Sequence, residues 1–153
     1  DGSVNNYELE IYEYNSDGVL VKSRCNYSDD VDSYRVTYYG ANGLKTYSLD
    51  YGPEDIPHKT YYYYNDKDQL TSEVWYNPFE TPKNEYVVDL VVNYEYDDKG
   101  YMIKAVRHYY PYTNDHHNDS YKPSESVYIT NYKYDSKGNI IDDGGYTYEI
   151  EYR

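Results

Sequence analysis

The densest group of metal-type ligands is the stretch DHHND, where His116 and His117 stand between Asp115 and Asp119. Imidazole beside carboxylate suits a transition metal. Adjacent histidines in an extended segment point apart, however, and no third histidine lies nearby. The stretch reads as a solvated loop, and no metal is expected. NSDG and DDKG have the oxygen-rich look of calcium loops. With Gly18 or Gly100 as the loop glycine, the place of the bidentate glutamate falls on Arg24 or Val106. These stretches are turns.

Carboxylates are so abundant that an acid/base pair for glycoside hydrolysis can always be nominated, but no spacing singles one out. Ser-His-Asp and Cys-His arrangements find no better support, and Cys25, in SRCNY, reads as a small packed residue. No catalytic residue is assigned and no cofactor is expected. VWYNPFETP holds Trp75, Tyr76 and Phe79, with the chain's single Trp and single Phe. Such rings at a loop end can stack on a sugar or a peptide; packing beneath a proline-rich loop is the other reading.

The elements that would position these residues come from a repeat. YEYNSDGVL begins at Tyr12, YEYDDKGYM at Tyr94 and YKYDSKGNI at Tyr132. YYYNDKDQL, from Tyr62, is the same pattern with Asp68 in the glycine place, and TYYGANGLK, from Thr37, is a more degenerate copy. The second aromatic falls at Tyr14, Tyr39, Tyr64, Tyr96 and Tyr134, at intervals of 25, 25, 32 and 38 residues. A recurrence on this scale marks stacked supersecondary units. Tyrosines two apart share a strand face. The Asn/Asp-x-x-Gly that follows supplies a turn-capping side chain and a residue at ease with positive φ. Aspartate tolerates that conformation better than most residues, so Asp68 fits. Each copy is thus a β-hairpin, and the expectation is one domain over residues 1–153 with repeats near 7–27, 34–51, 60–76, 87–110 and 127–152.

In the run Tyr61–Tyr64, Tyr62 and Tyr64 hold the repeat positions, while Tyr61 and Tyr63 face the other way. That strand is aromatic on both faces, being either covered twice or exposed as an aromatic stripe. The segment YTYEIEY near the C-terminus alternates apolar and polar residues, the pattern of an antiparallel sheet wetted on one side. No stretch carries a sustained helical period. The sequence therefore predicts an all-β, antiparallel up-and-down meander of about ten strands, five hairpins in all, curled into a barrel or half-barrel. Ten strands spaced about 4.8 Å and tilted roughly 40° would close at a radius near 10 Å, an interior suited to tyrosine.

Composition agrees with such a filling. Val, Leu, Ile and Phe together make up about a sixth of the chain, and the formal net charge is −14. Those values alone would suggest disorder. The 28 tyrosines reverse that reading, because each buries a large ring and favours strands. The acidity excludes nucleic acid and anionic membrane surfaces as natural partners. No apolar run approaches a membrane helix, and the charged strand faces do not suit a lipid-facing barrel wall. The opening DGSVNN lacks an initiator methionine, which suggests loss of an export or lipoprotein signal. The single cysteine excludes an internal disulfide.

The Y-x-Y-[DN]-x-x-G-x-[LI] copies resemble the YD repeats of RHS-type proteins, whose repeats form spiralling β-sheet shells. They are also similar to tyrosine-rich cell-envelope proteins of gut anaerobic bacteria, a family described as having a porin-like fold. The resemblance spans about residues 7 to 152. It implies a β-sheet fold and an envelope setting, and carries over no active-site residue.

The functional expectation is a non-catalytic cell-envelope or secreted protein, periplasmic or surface-exposed, that binds a glycan or protein or serves structurally. A carboxylate-dependent hydrolase and a fragment of an RHS-like toxin shell are the alternatives. The connections lengthen along the chain and gain prolines, so a site is expected at the long-loop end, from Trp75, Tyr76, Phe79 and Tyr112 with His116 and His117. The acidic balance favours a neutral or cationic ligand.

Overall fold

The computed structural model describes residues 9–26, 33–53, 56–78, 86–110 and 125–145. Among them there is no helix. Nine strands form one antiparallel sheet in chain order: β1 (Glu10–Tyr14), β2 (Leu20–Asn26), β3 (Tyr34–Tyr39), β4 (Lys45–Tyr51), β5 (His58–Tyr64), β6 (Leu70–Pro78), β7 (Tyr86–Tyr96), β8 (Met102–Tyr109) and β9 (Ser126–Asn131). A two-stranded sheet follows, β10 (Lys133–Tyr134) with β11 (Ile140–Asp142). The all-β meander is as the sequence predicts. Closure is not. A barrel needs its first and last strands to pair, whereas β1 and β9 each have one partner, leaving the sheet with two edges. The segment YTYEIEY lies outside the described residues.

Each repeat motif folds as a tight hairpin with the same hydrogen bonds. Asn15 takes the carbonyl of Val19 with its own N–H, and its carbonyl accepts from Gly18. Its side-chain Oδ1 then accepts from the N–H groups of Asp17 and Val19. Asn65, Asp97 and Asp135 repeat the arrangement. The second copy begins with Gly40, which has no side chain to do this, and Asn42 caps Leu44 instead. The last turn residue has positive φ in all five hairpins: Gly18 (77°), Gly43 (76°), Asp68 (60°), Gly100 (89°) and Gly138 (86°). A turn followed by one left-handed residue inserts a bulge, and the ladder slips by one residue beside the turn in four of the hairpins.

The motif tyrosines fasten each hairpin to the one before it. The Tyr62 hydroxyl meets Ser48 Oγ at 3.1 Å, and Tyr94 donates to Glu73 at 3.0 Å. Tyr96 donates to the carbonyl of Leu70 at 2.9 Å, and Tyr134 to that of Met102 at 2.8 Å. Leu70 and Met102 occupy the same place in successive hairpins. Small residues lie on this face. Ser23, Thr37, Ser48 and Thr60 are cross-strand partners, and the last three are buried. The fully apolar core among the described residues is thin, comprising Val36, Leu90, Val92 and Ala105.

By packing, the chain divides into two units, Asp1–Tyr62 with Trp75–Val88, and Tyr63–Val74 with Asp89–Arg153. The division runs through β5, β6 and β7.

Candidate functional site

Strand register in the first unit lays out a grid on the face opposite the small residues. One row is Lys22, Tyr38, Tyr47 and Tyr61; the next is Arg24, Val36, Leu49 and Lys59; the third is Asn26, Tyr34 and Tyr51. Members of a row are direct cross-strand partners, and successive rows are two residues apart along each strand, so all share one face. Two lines of tyrosine therefore flank an aliphatic strip, with Arg24 on β2 and Lys59 on β5 at its ends.

The rings touch along each line. Tyr38 and Tyr47 stack with centroids 4.4 Å apart, Tyr47 and Tyr61 lie at 5.9 Å, and Tyr76 meets the edge of Tyr61 at 5.7 Å. Interplanar angles open from 13° through 31° to 84° along this line. In the other line, Tyr34 and Tyr51 stack at 4.5 Å. The Arg24 guanidinium lies 3.8 Å from the Tyr34 centroid, and Lys59 Nζ 3.7 Å from that of Tyr86. Tyr86 in turn donates to the carbonyl of Pro57. Burial, then the neighbouring phenols Tyr38 and Tyr61, raises the pKa of Tyr47. Burial, then Tyr34, does the same for Tyr51. These hydroxyls stay protonated at neutral pH and can both donate and accept. Within the Tyr61–Tyr64 run Tyr61 is 38% exposed and Tyr63 49%, while Val36 in the aliphatic strip is buried. Of the two readings of the Tyr61–Tyr64 run, exposure is the observed one.

The repeat contains a signal for this surface. The residue before the second motif tyrosine is Glu13, Tyr38, Tyr63, Glu95 or Lys133. Three of these form cross-strand ion pairs: Glu13 with Lys22, Glu95 with Lys104 and Lys133 with Asp142. The second hairpin has the stacked Tyr38–Tyr47 pair in that place. That one column, compared across the copies, singles out Tyr38.

Of the residues expected at the long-loop end, Trp75 and Tyr76 lie among the described residues and do not share a face. Trp75 and Tyr76 are neighbours on β6 and so point to opposite faces. Tyr76 joins the tyrosine line, while Trp75, 36% exposed, belongs to the reverse side. Phe79, Tyr112, His116 and His117 lie outside the described residues. Among the described residues no group of three or more His, Cys, Asp or Glu is placed to hold a metal ion. Cys25 is half-buried in β2. In the second unit a cleft of about 420 Å³ opens between the third and fourth turns, with Asn65, Thr71, Tyr94, Tyr96 and Asp97 in its walls. No helix of the described residues is long and apolar enough to cross a membrane.

Fold and surface thus define an antiparallel β-meander with an aromatic face on one unit. No family model and no curated protein matches the chain. Among solved structures it is similar to a DUF3836 family protein from Parabacteroides distasonis ATCC 8503, at 14% identity and a TM-score of 0.28, covering 81% of this chain and 91% of that one.

Proposed function

We propose that the protein is a non-catalytic binding protein of the cell envelope, exported to the periplasm or surface, and that it holds a glycan or protein ligand on the tyrosine face of β3–β6. The observation that carries this reading is the line Tyr38–Tyr47–Tyr61–Tyr76, four large rings in contact across four strands. Half-exposed tyrosine supplies wide contact area with little rotamer entropy to lose, together with a hydroxyl for polar groups. A sheet holds those rings in a fixed array, which reduces the ordering cost of binding. The YD-like motif supports the envelope setting.

The test is a glycan array and a surface-protein pull-down with the parent chain and the Tyr38→Ala/Tyr61→Ala double variant. The reading expects a hit that the variant loses by tenfold or more while its strand spectrum stays intact. A ligand retained at full strength by the variant would place binding elsewhere. Turnover of that ligand by the parent would replace the non-catalytic reading with the hydrolase alternative.

A further inference from the structure

Resting on that reading, we infer that the tyrosine face takes a carboxylate-bearing glycan, such as a chain of uronic acid residues, laid across the strands from Arg24 to Lys59. The chain as a whole argues the opposite, since its formal net charge is −14. Charge on this surface is distributed differently. Register places Lys22, Arg24 and Lys59 on the tyrosine face. The carboxylates of Glu10 and Asp50 fall on the reverse face, where Asp50 accepts two hydrogen bonds from Arg35. On strands β1 to β5 the one carboxylate sharing the tyrosine face is Glu13, and Lys22 neutralises it at 2.7 Å. Arg24 and Lys59 meet tyrosine rings, and among the described residues neither forms an ion pair with a carboxylate.

Distance decides which charge a bound ligand feels. The screening length is about 8 Å at physiological ionic strength, so the charges a ligand here feels most are those within that reach. Arg24 and Lys59 would touch it. They stand three strand spacings apart, roughly 14 Å, bracketing the Val36–Leu49 strip. The tyrosine lines on either side are four residues apart along β3 and β4, roughly 13 Å. Val36 is buried and Leu49 half-buried, so an extended chain running across the strands would rest on the flanking rings, with its hydroxyls against the phenols. The stacked pairs Tyr38–Tyr47 and Tyr34–Tyr51 turn ring faces toward each other. Their edges and hydroxyls are then the surfaces left for a ligand, which favours a partner rich in hydroxyls over a flat aromatic one. Two cations at the ends favour carboxylates at matching intervals, and the guanidinium of Arg24 can hold one with two parallel hydrogen bonds.

The experiment is calorimetric titration at about 0.15 M salt with three probes: an oligomer of galacturonic acid, its uncharged methyl ester, and oligolysine. The proposal expects the acid to bind at least tenfold more tightly than the ester, and Arg24→Gln/Lys59→Gln to erase that preference without lowering the melting temperature appreciably. Equal binding of acid and ester, or a preference that survives the double substitution, overturns the carboxylate assignment. The aromatic-face reading then stands if Tyr38→Ala/Tyr61→Ala weakens both. Tighter binding of oligolysine also overturns it, in favour of a basic protein partner. If no probe binds and the array and pull-down are blank as well, both the inference and the reading beneath it fail.

Discussion

The phenol of Tyr134 donates to the carbonyl oxygen of Met102 at 2.8 Å, across 32 residues of chain. Tyr96 makes the same bond one hairpin earlier, to Leu70 at 2.9 Å. The repeat tyrosine thus supplies a donor from the next hairpin to a carbonyl beside the turn. Tyr96→Phe and Tyr134→Phe should each cost about 0.5–1.5 kcal/mol. Tyr63→Phe, on an exposed ring, should stay within about 0.5 kcal/mol. Urea midpoints of the three variants check the ordering, and equal midpoints would remove the fastening role.

Turn glycines should differ among themselves. All three of Gly18, Gly100 and Gly138 sit at positive φ, so a valine at any of them should cost roughly 1–3 kcal/mol. At Gly18 an added Cβ meets nothing within 4 Å, but at Gly138 it would lie 2.4 Å from the Tyr101 hydroxyl and 2.9 Å from the ring carbon behind it. That ring is stacked on Tyr134 at 4.8 Å and cannot swing away without losing the contact. Gly138→Val is therefore expected to melt lower than Gly18→Val.

Asp68 tests the same conformation from the other side. It holds φ 60° without glycine's freedom. Asp68→Gly should be neutral or stabilising by up to about 1 kcal/mol. A thermal melt suffices, and a clear loss of stability would show that the aspartate side chain contributes more than the backbone strain costs.

Tyr38 and Tyr47 replace an ion pair with a stacked ring pair, and the two should not be energetically equal. A double-mutant cycle to alanine is expected to give a coupling of about 0.5–1.5 kcal/mol for the rings. The exposed Glu13–Lys22 pair should give a smaller coupling, falling in high salt. Coupling between the rings that vanished in salt would contradict a dispersion and quadrupole origin.

Alkali should unfold the protein in a particular window. Burial first, then the Glu73 carboxylate at hydrogen-bond distance, pushes the Tyr94 hydroxyl well above the ordinary tyrosine value; Tyr96 and Tyr134 shift the same way, chiefly through burial. A group whose folded pKa is raised holds its proton longer when folded. Its stabilising contribution is complete below about pH 10 and is lost as pH rises through the folded value. Unfolding free energy should thus be flat toward pH 10 and fall above it, less steeply in Tyr94→Phe. Ultraviolet titration of the phenolates alongside circular dichroism measures both.

Local chemistry fixed what could be read from the chain alone. Asx-x-x-Gly requires a capped turn and a left-handed residue whatever surrounds it, so the five hairpins, the positive φ at Asp68 and the absence of helix from the described residues were all legible. Period-two patterning likewise made the strands visible. Pairing between hairpins was not legible, because Tyr47 opposite Tyr61 is set by the register that β4 and β5 adopt across a connection of irregular length. That register assembles the tyrosine lines and separates Trp75 from Tyr76 by the pleat of one strand. It also gathers Lys22, Arg24 and Lys59 onto one surface of an acidic chain. Strand number allowed a closed barrel, but closure depends on whether the first strand meets the last, a long-range contact that no local pattern encodes, and in the folded chain β1 and β9 remain edges.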